Sequence, residues 1–169
     1  MTHTRPATIH DLQTILTFRR RLQQHLLESN PRLWRRDPES PALREEALDE
    51  ITGPNKWTII AEDNNTPIGY ISGRAITRTD EEPATIGAIS TMWVEPDHRK
   101  RGVGTRLVRD LLERLNRAGA QDITLRIVNG NAEAQTFWAG LGFQPRITVA
   151  NAEPSRILDA ISRRFPEKE

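Results

Sequence analysis

The segment that decides the fold is residues 92–105, which read MWVEPDHRKRGVGT. It leaves a predicted strand, passes through three consecutive basic residues at 99–101, and enters a strongly amphipathic helix predicted over residues 102–115. The first amides of a helix have no partner within it, and together with the helix dipole they form an anion site. Gly102 and Gly104 permit positive φ and let a phosphate approach the backbone. The segment therefore predicts a phosphate-binding loop.

Two other phosphate motifs do not fit this loop. A P-loop needs Gly, four residues and then Gly-Lys-Ser/Thr, and the sequence contains no such run. The dinucleotide fingerprint needs a third glycine three residues after Gly104, where Leu107 stands. The remaining alternative is that the basic run is simply solvated surface.

The composition limits the classes of function. With 169 residues, 36% of them hydrophobic and 28% charged, the chain is expected to be one soluble domain with its own core. A net charge of +1 argues against bulk attraction to nucleic acid or an anionic membrane. The absence of cysteine excludes disulfides, thiolate metal sites and cysteine nucleophiles. Because neither a secretory signal nor a long apolar span is evident, we expect a cytoplasmic protein.

Before the loop, the pattern predicts a short extended piece over residues 5–8, then two helices and three strands. Asp11 is a predicted cap for the first helix, which Asn30 and Pro31 end. Ser40 followed by Pro41 is typical of the start of the second helix. The three strand-like runs are residues 57–61, 68–76 and 85–94, and the third is apolar on both faces, as in a central strand.

After the loop helix, strands and helices alternate. Residues 123–128 alternate as a strand does, and Asn131 is placed to cap a short helix. A last strand is predicted around residues 146–149, and a terminal helix over residues 155–165. The order β-α-α-β-β-β-α-β-α-β indicates a mixed α/β domain.

Two blocks of this sequence resemble the GNAT superfamily of GCN5-related N-acetyltransferases. The first is Val94-Glu95-Pro96 followed by Arg-x-x-Gly-x-Gly over residues 99–104, and the second is the Asn-x-x-Ala block and Gly-Phe pair over residues 131–143. The resemblance implies an α/β fold with a central mixed sheet of about six to seven strands, splayed in a V and flanked by helices. It also implies a single domain over residues 1–169, with the cofactor-binding core at about 85–143 and acceptor-side helices at about 10–53.

The resemblance further implies a set of coenzyme A contacts. The strand end is expected to pair with the pantetheine arm, the loop to wrap the pyrophosphate, and two residues after the next strand to contact the arm. The residues are Met92, Trp93, Val94, Arg99, Lys100, Arg101, Gly102, Val103, Gly104, Thr105, Asn131 and Phe137. The alternatives are a plain helix cap for Asn131 and a plain core residue for Phe137.

The catalytic residues stay undetermined at this level. Relatives often hold a tyrosine acid where Trp138 stands and a glutamate base where Ala88 stands. Ser90, two residues beyond Ala88, is a weak candidate to hold a water, and Trp138 is a weak candidate because its indole is a poor proton source. The only tyrosine, Tyr70, lies on another strand, and no histidine spacing suggests a metal site.

These observations predict an N-acetyltransferase that moves an acyl group from acetyl-CoA, without a metal, to a primary amine by direct attack in a ternary complex. The acceptor is a small molecule or a peptide, and the sequence does not identify it. A non-catalytic acyl-CoA-binding sensor or structural module is the alternative. Nucleic acid and membrane are not expected partners, whereas homodimerisation is compatible with the resemblance.

Overall fold

The structure of the chain, a computed structural model, describes residues 2–164. The chain divides into two compact units, residues 1–132 and residues 133–169. The elements are β1 (Thr2–Pro6), α1 (Leu12–Ser29), α2 (Pro41–Thr52), β2 (Lys56–Asp63), β3 (Thr66–Thr77), β4 (Thr85–Val94), α3 (Val103–Arg117), β5 (Asp122–Leu125), α4 (Ala132–Gly140) and α5 (Pro154–Arg164). Single turns of 3-10 helix, Ile9–Asp11 and Pro96–His98, precede α1 and follow β4.

A five-stranded mixed sheet forms the centre of the first unit. Its order is β1-β2-β3-β4-β5; the first four strands pair antiparallel, and β5 joins β4 in parallel. This confirms the predicted class, a mixed sheet flanked by helices, and the predicted third strand agrees with β4 (Thr85–Val94).

The expectation of six to seven strands is wrong by one or two, because the predicted strand at residues 146–149 is irregular. Ile147 and Val149 lie exposed there, and these residues pair with no strand in the described part of the chain. A β-branched run is a strand only where another backbone accepts its hydrogen bonds. The terminal helix begins one residue earlier than predicted, and its predicted last residue, Phe165, lies outside the described residues.

The two faces of the sheet are covered by different helices. Apolar residues of α1 and α2 pack with Ile60, Tyr70 and Trp93 of the sheet in one core cluster. Gly73, three residues from Tyr70 and therefore on the opposite face, meets Leu111 of α3. The buried stripe of α3 covers that second face, and it comprises Val103, Leu107, Val108, Leu111 and Leu115.

The beginnings of α1 and α2 differ in how well the sequence predicts them. Ser40 and Pro41 start α2 as expected. Asp11 does not cap α1 through its side chain among the described residues. Its carboxylate instead accepts hydrogen bonds from Arg5 (Nη1 at 2.8 Å and Nη2 at 2.7 Å), and Arg5 also donates to Glu62. The Arg5 guanidinium lowers the pKa of Asp11 to about 2, so this network ties α1 to β1 and β2.

Candidate functional site

The strand-to-helix loop, residues 95–102, connects β4 to α3. The Glu95 amide extends the sheet pairing by one hydrogen bond to the Ile68 carbonyl (2.8 Å), and the 3-10 turn Pro96–His98 follows. The chain then takes positive φ at Lys100 (58°) and Gly102 (79°). Left-handed residues reverse the direction of the backbone within a few positions. The loop therefore brings its amides around to the start of α3.

The beginning of α3 is open to an anion. The Arg106 amide donates to the Gly102 carbonyl at 3.0 Å, so the amides of the first turn, at residues 103–105, precede the helical ladder. No side chain of the described residues caps the Gly102 end. A Cβ built on Gly102 would meet no atom within 4 Å. Free amides, an open approach and the helix dipole fit a phosphate group.

The three basic residues of the loop have different roles in the structure. Arg99 turns back toward β4: its Nε donates to the Val94 carbonyl at 2.9 Å, and its guanidinium lies 4.7 Å from the centre of the Trp93 ring. Lys100 and Arg101 are exposed and make no salt bridge with any residue the structure describes. Arg99 thus fastens the loop to the strand, and the other two remain available as counter-charges.

The edge of β4 nearest β5 is only partly paired. The parallel ladder runs from Ile86–Asp122 to Ile89–Leu125 and then stops, although β4 continues to Val94. The predicted strand at 123–128 is therefore too long at its carboxyl end. Met92, Trp93 and Val94 lie on this unpaired stretch, directly before the loop. The edge of β4 beyond Ile89 therefore has no partner strand on the β5 side among the described residues, and we call this open edge, between β4 and the segment after β5, the slot.

A β-bulge lies at the point where the strands part. Ser72 of β3 is opposite Thr91 and Gly73 is opposite Ile89, so the register passes over Ser90. An extra residue of this kind bends the strand and redirects its amides. Ser90 is exposed. Nothing in the sequence marks this bulge, because serine is unexceptional in a strand.

The second half of α1 crosses the end of the sheet where the strands part. Arg21 of α1 forms an ion pair with Glu95, the first residue after β4. About two turns later, Asn30 donates through its Nδ2 to the Asn129 carbonyl (3.1 Å), in the segment that leaves β5. Gly130 packs so closely on α1 that a Cβ there would lie 2.4 Å from the Ser29 carbonyl oxygen. The helix thus contacts both sides of the slot.

The remaining predicted residues are distributed over both units. Asn131 is buried in the first unit, and its amide donates to the Val128 carbonyl (3.1 Å) just before α4. Phe137 and Trp138 belong to the second unit, where the Trp138 ring contacts the rings of Phe137 (4.9 Å between centroids) and Phe143 (5.3 Å). The structure therefore brings together the strand end and the loop, and it gives Trp138 an aromatic environment of its own.

Two side chains of possible catalytic relevance have clear environments. Tyr70 is fully buried, and desolvation raises the pKa of its hydroxyl to about 12, against the influence of Arg19. Ala88, opposite Thr124 in β5, supplies no acid or base to the slot.

Among residues 2–164 there is also no group of three metal-ligating side chains. None of the described helices is long and apolar enough to cross a membrane.

Comparison with known proteins shows the family and the fold of the chain. The profile of the Acetyltransferase (GNAT) family matches residues 19–143. The N-alpha-acetyltransferase RimI of Mycobacterium tuberculosis is 30% identical over 95 residues, which is 56% of each chain. The ribosomal protein bS18-alanine N-acetyltransferase of Escherichia coli K12 is 29% identical over 90 residues, 53% of this chain and 59% of that one.

The chain spans about half the length of the curated relatives it matches. Among solved structures, a GCN5-related N-acetyltransferase from Ralstonia eutropha JMP134 superposes with a TM-score of 0.72 at 19% identity. That superposition covers 90% of this chain and 99% of the other. At this identity the likeness concerns the fold.

Proposed function

Because the chain belongs to the GNAT acetyltransferase family, we propose that it transfers an acetyl group from acetyl-CoA to a primary amine. The observation that carries the proposal is the uncapped start of α3, which follows a positive-φ loop and the end of β4, where the edge on the β5 side has no partner strand among the described residues. The uncapped start of α3 suits a pyrophosphate, and the open edge of β4 suits an extended chain that carries amides. Coenzyme A contains both groups.

The residues have separate binding tasks in this proposal. The amides at residues 103–105 hold the pyrophosphate, with Lys100 and Arg101 as counter-charges. The backbone of Met92, Trp93 and Val94 pairs with the pantetheine amides, as a further strand would. Arg99 acts indirectly, since it holds the loop against Trp93 and Val94. The family resemblance adds Asn131 and Phe137 as contacts of the arm.

The chemistry needs little from side chains. The neutral amine nitrogen attacks the thioester carbonyl carbon, a C–N bond forms and the C–S bond breaks. A backbone N–H beyond the Ser90 bulge stabilises the oxyanion that develops. The amine proton leaves to water, which exposed Ser90 helps to place, and the departing thiolate takes a proton from solvent. Trp138 does not act as the acid in this scheme, because indole is not an effective proton donor.

A second candidate function is acyl-CoA binding without catalysis. It is favoured by one observation: Ala88 and Trp138 stand where the family resemblance leads one to expect a base and an acid. A binding module would retain the loop and the slot and would need neither group.

Calorimetric titration with acetyl-CoA, followed by a thiol-release assay on a panel of amines, separates these functions. The transferase binds acetyl-CoA in the micromolar range and releases coenzyme A only when a suitable amine is present. Its rate rises with pH as more of the amine becomes neutral. Binding without thiol release across peptides and small amines identifies the non-catalytic module. Failure to bind at near-millimolar acetyl-CoA contradicts both functions.

A further inference from the structure

The helix α5 leaves an apolar face exposed. Ile157, Leu158 and Ile161 are 47%, 63% and 50% exposed, and none of the residues of α5 is buried. At 3.6 residues per turn, these three positions share one side of the helix and form an apolar stripe. The helix has 11 residues, and an isolated helix shorter than about 12–15 residues is only marginally stable in water, because most helical stability comes from packing of the apolar face. The stripe is therefore expected to be covered by a partner.

One border of the apolar stripe carries opposite charges at its two ends. The carbonyl of Glu153 accepts the first hydrogen bond of the helix, from the Ile157 amide at 3.1 Å, and Arg164 is the last residue of the helix. Glu153 precedes Ile157 by about one turn and Arg164 follows it by about two turns, so both charges lie on the same side of the stripe. Both side chains are exposed, and neither makes a salt bridge with the residues that the structure describes. This border is therefore acidic at one end and basic at the other.

The other border of the stripe carries two exposed serines. Ser155 precedes Leu158 by about one turn and Ser162 follows it by about one turn, so both lie beside Leu158. The midpoint of the two serines along the chain falls between Leu158 and Asp159. The midpoint of the charged pair falls at the same place. The helix surface is therefore arranged symmetrically about one point.

A second α5 helix that packs antiparallel about this point satisfies the charges. It brings Glu153 of each copy to Arg164 of the other, and it brings the two Leu158 side chains together at the centre. A two-fold interface repeats every contact, so two ion pairs form. A parallel pair would instead bring like charges to the same level, and like charges repel. The charge pattern thus fits a second copy of this chain in one orientation.

From this arrangement we propose that α5 is a self-association surface, on which a second copy of the chain binds through antiparallel pairing of the two α5 helices. The proposal does not depend on the transferase function. Three apolar side chains from each copy and two ion pairs make a small contact, at the low end of the areas of specific interfaces. The dissociation constant is therefore expected to be on the order of 100 µM.

An anionic lipid surface is the competing partner for such a helix. Arg156, Arg163 and Arg164 would be attracted to it, as in other basic amphipathic helices that lie on membranes. The carboxylate of Glu153, at the border of the stripe, would be repelled by the same headgroups. Self-association uses the acidic and the basic end of the border alike, which makes it the favoured use.

Sedimentation velocity of the full chain over a range of concentrations tests the proposal. The average mass should rise from 19.3 kDa toward twice that value as the concentration increases from about 5 µM to about 500 µM. Leu158→Glu should abolish the rise, because it places two carboxylates at the centre of the contact. Ile9→Glu, at an apolar residue that is 57% exposed in the first unit, is the matched control and should leave the rise unchanged.

Charge reversal separates pairing of the two helices from any other use of the stripe. Glu153→Arg and Arg164→Glu should each weaken self-association about tenfold, because each turns both ion pairs into like-charge contacts. An equimolar mixture of the two variants should associate again, and the variant with both substitutions should self-associate like the natural chain. In 0.5 M salt these differences should shrink, because the charges are exposed.

Crosslinking tests the orientation, since the chain contains no cysteine. Ser155→Cys and Ser162→Cys are prepared separately and oxidised alone and as a mixture. Antiparallel pairing should give the mixed disulfide in the mixture and little crosslinking of either variant alone, because like positions lie about 10 Å apart along the paired helices.

Four outcomes overturn the inference. They are a constant mass of 19.3 kDa at every concentration, an equal loss of association in the Leu158 and Ile9 variants, no recovery when the two charge variants are mixed, and disulfides formed mainly between like positions. A constant mass together with binding to phosphatidylserine vesicles that Leu158→Glu abolishes would assign the stripe to a lipid surface instead. Acetyl-CoA binding is expected to be the same in all these variants, so failure of the proposed function is a separate result.

Discussion

The strand-to-helix loop and the connector between α1 and α2, residues 30–40, both lie in the first unit, yet they are built in opposite ways. The loop works through its backbone: positive φ at two residues and the free amides of α3 are properties of a short stretch of chain. The connector is held by side chains of α1 and α2 and, through the Asn30 side chain, by the backbone carbonyl of Asn129 after β5. The loop can therefore be predicted from a sequence motif, whereas the charges that stay exposed on the connector are known only once the ion pairs are located in the structure.

The largest effect is expected from a substitution that changes the loop backbone without creating a steric clash. Gly102 has φ +79° and nothing within 4 Å of a built Cβ, and Gly119 at the other end of α3 has φ +86° with the same freedom. Gly102→Val is expected to weaken acetyl-CoA binding about hundredfold, because at least two charge-assisted hydrogen bonds from loop amides are lost. Isothermal titration measures the effect.

Gly119→Val is the matched control for that change. Both substitutions force a β-branched residue into a left-handed backbone, and each lowers the free energy of unfolding by roughly 1–2 kcal/mol. Only the Gly102 variant should lose coenzyme affinity. Equal affinity in both variants would show that the amides at the start of α3 are not the phosphate site.

The ion-pair network of Arg5, Asp11 and Glu62 is expected to be sensitive to acid. Since the pKa of Asp11 is lowered to about 2 from its usual 3.8, its carboxylate stabilises the fold above about pH 4, and that contribution is lost as the pH falls toward 2. Asp11→Asn is expected to lower the free energy of unfolding by about 2 kcal/mol at pH 7, because Arg5 loses a charged partner. Urea denaturation at pH 5, 3 and 2 measures both effects.

The same experiment has an internal control in the loop. Asp97 is exposed and makes no salt bridge among the residues described, so Asp97→Asn should stay within about 0.5 kcal/mol of the natural chain. Above pH 4 the Asp11 variant should be the less stable protein, and the gap should narrow below pH 4. A constant gap down to pH 2 would argue against the Arg5–Asp11 pair as its origin.

The smallest effect is expected at Lys100, where two substitutions separate the contribution of the loop backbone to coenzyme binding from that of the charge. Lys100 holds a left-handed φ of 58°. Lys100→Gly and Lys100→Ala remove the same charge, but glycine accepts this φ, so it should be the more stable variant by about 1 kcal/mol. If the backbone amides supply most of the binding energy, the affinity for acetyl-CoA falls less than about threefold in both variants. A tenfold loss in both would assign the binding to the ammonium group instead.

Local patterns predicted much of the fold. The third strand agrees with β4, Ser40 and Pro41 start α2, and the loop helix is α3 with its predicted apolar face. Each of these depends on neighbours in the chain: a proline without an amide hydrogen, an apolar period of 3.6, a run of β-branched residues. Such effects act before any tertiary contact forms.

The errors share one cause, which is that long-range partners were unknown. Residues 146–149 have strand composition but no partner strand among the described residues, and β5 ends at Leu125, where its pairing with β4 also ends. Asp11 is a predicted helix cap, but Arg5 of β1 engages its carboxylate. Arg99 is equivalent to Lys100 and Arg101 in the sequence, but only its guanidinium lies over the Trp93 ring.

By itself, then, the sequence determined the order of elements as far as α4 and the glycine-containing turn that leads into α3, since both follow from backbone geometry over a few residues. Only the tertiary structure decided where the pairing of β4 with β5 ends and which arginines are engaged. The physical reason is the separation along the chain between the residues on which each property depends. Glycine φ and helix amides are local quantities, whereas ion pairing and strand pairing depend on residues that folding brings together from distant positions.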